Sequence, residues 1–476
     1  MTGFLPMLEP IVQQMLLVPR GAVEAPAGTG KTEQITLLAG QLPGRWLILT
    51  HTVAGVEAIR RRLRKRQVAD EKTQVDTIAA WSYRWARAFP VNSGLATSWT
   101  TRSRDWTAVL NAAASLVESG AVESVLKASF DGILVDEYQD CSVSHHRLVK
   151  ALSQIMRCYV FGDPLQAIFG FGNDPLVDWE SETVKAFPLA GSFSTGHRWN
   201  HVGDPGLGAW LIAQRTNFRA GHFDFVNSPN SVTWVQSAEE REPRDLKDDC
   251  FAKGMKHGHT LSVLHSSVNE AGRAELAKFI GATTVEPIGG RAERNFYDAL
   301  RRLTGTSRVG AVLELAGSGF AGANAAEKRR RVDSILNNPS RMRVPPNAAE
   351  LALSAIAQDT SLHAVLDALN SIAQESGVTL VRPELINGVR ATLRHCVENP
   401  EIELEDASWH VANMRREKGR IIRNRSVGST LLVKGLEFDH VVITPEACTS
   451  RYHWYVALTR AAKSVKILSP KSVFNV

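Results

Sequence analysis

The stretch Ala25-Pro-Ala-Gly-Thr-Gly-Lys-Thr32 places two glycines, a lysine and a hydroxyl within eight positions. Gly28 and Gly30 let backbone N–H groups turn inward around a polyphosphate. A helix starting directly after them would aim its positive end at the same place. Lys31 would reach the β- and γ-phosphates and the Thr32 hydroxyl would ligate Mg²⁺, so that Ala27, Gly28, Thr29, Gly30, Lys31 and Thr32 form the cradle. The strict pattern opens with glycine, and here Ala25 stands in its place. About 105 residues on, Gly132-Ile-Leu-Val-Asp136-Glu137-Tyr-Gln139-Asp140 is an apolar run ending in carboxylates. At the carboxyl end of a strand beside a phosphate loop, Asp136 can hold Mg²⁺ through water. Glu137 can then orient or deprotonate the attacking water. These residues together predict hydrolysis of a nucleoside triphosphate.

The elements that must carry them alternate. Pro10–Val18 has helical apolar spacing, Gly21–Ala25 reads as a strand, Thr32–Leu42 as a helix and Trp46–Thr50 as a strand, the pattern of a parallel sheet with crossover helices. Further short apolar runs, at Gly132–Val135, Cys158–Phe161, Ser231–Gln236, Thr260–Leu264, His440–Thr444 and Val465–Leu468, predict more buried strands. From 286 to 425 the pattern turns helical, with charge runs at Lys328–Arg331 and Arg415–Arg425, and is expected to be an insertion between two strands of a second α/β domain. No repeat or low-complexity segment is visible.

With 476 residues the chain has room for about three domain-sized units. Apolar residues make up 44% and charged residues 22%, which excludes gross disorder. Lys+Arg number 55 against 49 Asp+Glu, a net charge of +6 that permits an anionic partner without demanding one. The five cysteines show neither zinc-site nor disulfide spacing, as expected in a reducing cytoplasm. The amino terminus makes a poor signal peptide and no long uncharged apolar stretch occurs, so no membrane partner is expected.

Seven blocks occur in the order of the UvrD/Rep-like superfamily 1 helicases, and the chain resembles that family from about residue 8 to 468. Beside Ala25–Thr32 and Asp136–Asp140 they are Thr50-His-Thr52, Thr77-Ile-Ala-Ala-Trp81, Gly162-Asp-Pro-Leu-Gln-Ala-Ile-Phe-Gly-Phe171, Lys434-Gly-Leu-Glu-Phe438 and Tyr455-Val-Ala-Leu-Thr-Arg-Ala461. Gly196-His-Arg198 stands where the family has Asn-Tyr-Arg. The resemblance implies an α/β fold of two RecA-like P-loop domains with ATP and Mg²⁺ between them. The first would span 1–195 with a reduced insertion at about 82–128, the second 196–285 and 426–476, and 286–425 would be the second domain's helical insertion. Gln13 would contact adenine, with Gln14 the alternative; Gln166 would sense the γ-phosphate and Glu437 would meet the ribose. Arg198 and Arg460 would come from the second domain as arginine fingers. Glu33, where many members carry Arg, and His197, in place of Tyr, depart from the family, as do Leu431 and Gly172.

Single strands are held by aromatic faces along a basic groove. The resemblance puts Phe169 and Phe171 under the strand, with Trp81 and His51 as weaker candidates; the alternative for each is core packing. Arg60-Arg-Arg-Leu-Arg-Lys-Arg66 is either a solvated helix face or a phosphate contact. Only 59 positions separate Thr77 from Asp136, whereas 236 separate Arg198 from Lys434, so the first insertion is expected to be minimal and the second large. No nuclease cassette is expected after the last motif. The implied function is an ATP-dependent 3′–5′ translocase or helicase on single-stranded DNA, including a tailed duplex, in repair or replication. The compact build also resembles the helicase-like subunit of Gabija-type anti-phage systems, whose partner is an OLD-family nuclease. An ATPase acting without nucleic acid is the third reading.

Overall fold

Short apolar runs form the strands around which the chain is built. In the computed structural model, β1 (Arg20–Glu24), β2 (Trp46–Thr50), β3 (Thr73–Thr77), β4 (Gly132–Val135), β5 (Arg157–Gly162) and β6 (Leu189–Ser192) make a six-stranded sheet in the order β3-β2-β4-β5-β1-β6. All five neighbouring pairs run parallel, for example Val23 opposite Phe161 and Leu47 opposite Ile133. β2 and β4 are buried throughout, as a parallel sheet covered on both faces requires. The structure describes residues 7–103, 105–170, 173–238, 241–251, 255–337, 340, 343–418 and 422–476.

Helices cover the sheet because their apolar residues recur on one face. One face receives α1 (Pro10–Met15), α2 (Lys31–Gln41) and α3 (Val53–Lys65) through Val12, Ile35, Leu38, Val56 and Ile59. The other receives α4 (Ile78–Ala88) and the helices Trp106–Glu118 and Val143–Ile155. Thr52 and Thr77 cap α3 and α4, their hydroxyls accepting from Gly55 and Ala80 N–H at 3.0 and 3.1 Å. The stretch from β3 to β4 is short and helical, as its length predicts.

The chain divides into two units, Met1–Phe223 with Ser450–Lys463 and Asn475–Val476, and Asp224–Thr449 with Ser464–Phe474. The first unit is larger than the expected domain 1–195. Residues 196–223 and 450–463 pack on each other through Trp454 on Phe223 and Tyr455 on Phe218, at ring distances of 5.7 and 6.1 Å, and join the rest of the unit through Arg215 on Glu24 and Asp163 and Arg460 on Gln166.

The second unit carries a sheet ordered Thr283–Thr284, Arg425–Gly428, Leu261–Leu264, Phe438–Ile443, Ala461–Ser469, Val232–Gln236, of which Ala461–Ser469 enters the unit at Ser464. Thr283 and Thr284 lie parallel to Ser426 and Val427. The residues between these neighbouring strands run from helix Arg291–Arg302 to helix Leu404–Lys418 around their own core of Phe296, Val312, Leu353, Leu369 and Leu393. The chain is thus α/β, with two six-stranded sheets of RecA type and a helical insertion in the second.

Candidate nucleotide site

β1, β4 and β5 are neighbours, so the segments leaving their carboxyl ends converge in the first unit. After β1 the chain enters the glycine loop, with Gly28 and Gly30 in the left-handed region at φ 73° and 82°. A side chain at Gly28 would meet the Trp199 ring at 2.7 Å, so the backbone there must approach the next element closely. Gly30 is the residue preceding α2, which begins at Lys31, placing Thr32 in the first helical turn as a phosphate cradle requires.

The Lys31 ammonium lies 2.9 Å from Asp136 and 2.7 Å from Glu137. Burial alone would lower its pKa, but the two carboxylates outweigh burial and hold it above the usual range, so it stays charged. Burial raises Asp136, with Lys31 opposing the shift. Glu137 takes a left-handed backbone at φ 57°, uncommon outside glycine. Its carboxylate accepts from Gln139 Nε2 at 2.6 Å. Thr32 and Asp136, a hydroxyl and a carboxylate at the ends of neighbouring segments, suit a divalent ion accompanying a triphosphate.

After β5, Asp163 accepts the Ala27 N–H at 3.0 Å and Gln166 Nε2 at 2.8 Å on the same oxygen, Oδ2. Gln166 Oε1 accepts from Arg460 Nη2 at 3.1 Å. Arg460 is 2% exposed and its Nε donates to the Val456 carbonyl at 3.0 Å. The Arg198 N–H donates to the Gly28 carbonyl at 3.0 Å, and its guanidinium donates to the Thr459 carbonyl at 2.5 Å. Lys31, Asp136, Glu137, Gln166, Arg198 and Arg460 therefore gather in one unit around the glycine loop.

The remaining expected residues are more scattered. Gln13 is exposed on α1 and donates to the Leu8 carbonyl at 3.0 Å. His197 contacts Glu9 at 3.5 Å, and Glu33 pairs with Arg66 on the flank of α3. Glu437 is exposed in the second unit, just before strand Phe438–Ile443. His51 is half-buried, 3.5 Å from the Cys141 sulfur, with its ring 5.1 Å from that of His145. Phe169 is 39% exposed. Phe171 lies outside the described residues, as does Gly172. Trp81 needs a correction: it is fully buried in the core and stacks on Trp85 at 5.3 Å, so it has no face to offer a base.

Sequence reasoning missed the groups behind the loop. Arg215 Nη2 donates to Asp163 Oδ1 at 2.8 Å and also to Glu24, while its Nη1 donates to the Tyr455 hydroxyl. Burial opposes its charge, yet Asp163 foremost among its partners holds it above the usual range. Asp163 and Tyr455 sit inside recognisable motifs, and Glu24 is a carboxylate at the end of a buried strand. Arg215 has no such signal, because its partners are 52, 191 and 240 positions away.

Residues 95–174 match the family model of the UvrD/REP helicase N-terminal domain, a segment that contains Asp136, Glu137 and Gln166. No curated protein sequence matches the chain. Similar solved structures include the Arterivirus nonstructural protein 10 helicase (10% identity, TM-score 0.35, 97% of this chain and 61% of that one) and its complex with DNA (10%, 0.35, 97% and 63%). Another is the Pif1 helicase from Candida albicans, at 11% identity and TM-score 0.40, covering 98% of this chain and 95% of that one. The chain thus spans less than two thirds of the arterivirus helicase chains it resembles.

Proposed function

For a chain carrying the signature of a UvrD/REP helicase N-terminal domain, we propose an ATP-driven motor on single-stranded DNA. The observation that carries this reading is the convergence of Lys31, Asp136, Glu137, Gln166 and Arg460 on one glycine loop. Lys31 and the backbone N–H groups at Gly30 and the start of α2 would bind the β- and γ-phosphates. Glu137 would take the proton of the attacking water, and Gln166 would register the γ-phosphate. Arg460 and Arg198 would stabilise the charge that develops on the transferred phosphoryl group. A magnesium ion bound with the triphosphate would be held by Thr32 and Asp136 and would neutralise phosphate charge. Lys31 is engaged by two carboxylates, and its ammonium has a third donor to give to a phosphate. Gln13 would contact the adenine.

The strand would run over Phe169, three residues beyond Gln166, with His51 beside it and Phe171 as a second platform. Stacking on such rings contributes about 1–3 kcal/mol per base. Sensor and platform then share one short segment, so a change at the γ-phosphate can shift the grip on the strand. Movement 3′ to 5′ belongs to the same proposal.

The test is steady-state ATP hydrolysis by the full chain with and without single-stranded DNA, followed by a 3′-tailed duplex. Stimulation by the single strand and separation of the duplex are expected. Hydrolysis indifferent to DNA would favour an ATPase acting on another substrate. Stimulation without separation would favour a DNA-sensing subunit over a helicase.

A further inference from the structure

Arg215 lies outside every motif, yet it is 8% exposed and its guanidinium reaches three functional elements at once. Glu24 ends β1, directly before the glycine loop. Asp163 follows β5, three residues before Gln166. Tyr455 lies on the helix Arg451–Leu458, five residues before Arg460, and its hydroxyl is 3.4 Å from the Ala27 nitrogen. Asp163 divides its two oxygens: Oδ1 faces Arg215, while Oδ2 accepts from both Ala27 and Gln166. Since Gln166 also contacts Arg460, one hydrogen-bonded line runs from the loop amide through Asp163 and Gln166 to Arg460.

Asp163 is fully buried and Glu24 nearly so. A buried carboxylate needs a paired cation and hydrogen-bond donors in place of its lost hydration. The planar, always-charged guanidinium fork satisfies two carboxylates and a phenol together, which a lysine cannot do. Arg219, the other cation on Glu24, is half-exposed and bonds its other carboxylate oxygen.

We propose that Arg215 is a positioning residue for ATP hydrolysis: acting through Asp163 and Tyr455, it fixes the geometry in which Gln166 and Arg460 meet the phosphate loop. This rests on the nucleotide reading above. Arg215 touches no phosphate in this account; it keeps in register the groups that do.

The experiment measures kcat, the KM for ATP and the thermal midpoint of the full chain and of its Arg215→Met, Arg215→Lys and Tyr455→Phe variants. Misplacing catalytic groups by about 1 Å costs about 10²-fold in rate, so Arg215→Met is expected to lose about that much kcat with KM changed less than about threefold. Arg215→Lys should recover part of the loss, because one ammonium restores the charge but not the fork. Tyr455→Phe, which removes one hydroxyl and keeps the ring, should lower kcat severalfold. A folded Arg215→Met with wild-type kcat, or a KM rising in step with the loss of kcat, would overturn the role. Should Arg215→Met fail to fold, an unchanged kcat in Tyr455→Phe would overturn it equally. A wild-type chain that hydrolyses no ATP refutes the nucleotide reading and this inference with it. Active wild type with indifferent variants counts against Arg215 alone.

Discussion

At the scale of single residues, the site depends on a few positions with no tolerance for substitution. Lys31 is placed against both Asp136 and Glu137, so Lys31→Ala is expected to abolish hydrolysis; near-normal turnover would refute the assignment. Gly28 combines a φ of 73° with a neighbouring indole 2.7 Å from where a Cβ would sit. Gly28→Ala must therefore shift the loop or Trp199, and nucleotide affinity measured by titration should fall at least about tenfold, roughly 1.4 kcal/mol. An unchanged affinity would show that the loop does not cradle phosphate. These positions were legible in the sequence because local chemistry dictates them: turn glycines, a lysine and a hydroxyl must be adjacent to act together. Arg215 was illegible for the opposite reason, since only the folded sheet brings Glu24, Asp163 and Tyr455 to it.

At the scale of elements, apolar patterning located the strands that carry the site, and failed where a strand is short or polar. β4 occupies the expected Gly132–Val135, and β5 extends Cys158–Phe161 by one residue at each end. β3, Thr-Gln-Val-Asp-Thr, buries only Val75, so it gave no apolar run to read. β6 carries no fully buried residue and was missed likewise. On α3 the apolar stripe of Val56, Ile59 and Leu63 is buried, leaving Arg60, Arg61, Arg64 and Lys65 exposed. The aromatic residues divide by element too. Trp81 faces inward from α4, and Trp81→Ala is expected to cost about 3–5 kcal/mol of unfolding free energy. Phe169, in the loop after β5, should behave differently: Phe169→Ala should weaken DNA-stimulated ATPase more than basal ATPase and leave stability nearly unchanged. Denaturant titration and paired ATPase assays separate the two, and a stability loss at Phe169 as large as at Trp81 would assign both to the core.

At the scale of the whole molecule, the large separation between Arg198 and Lys434 was a good guide to architecture. A helical insertion falls between the adjacent strands Thr283–Thr284 and Arg425–Gly428. The grouping of 196–223 and 450–463 with the glycine-loop unit was not legible, because it depends on long-range contacts such as Arg215 with Glu24 and Asp163 and Arg460 with Gln166 rather than on motif order. With a net charge of +6 and an exposed arginine face on α3, strand-stimulated turnover should fall steeply across a salt series while basal turnover changes little. Parallel decline of both would place the salt effect on the enzyme rather than on strand binding. The most direct test of the account removes the Arg460 guanidinium by Arg460→Ala and measures ATP affinity and turnover on the same protein. Affinity is expected within a few-fold of wild type and turnover lowered by about 10³-fold or more. Equal losses in affinity and turnover, or turnover that survives, would contradict it.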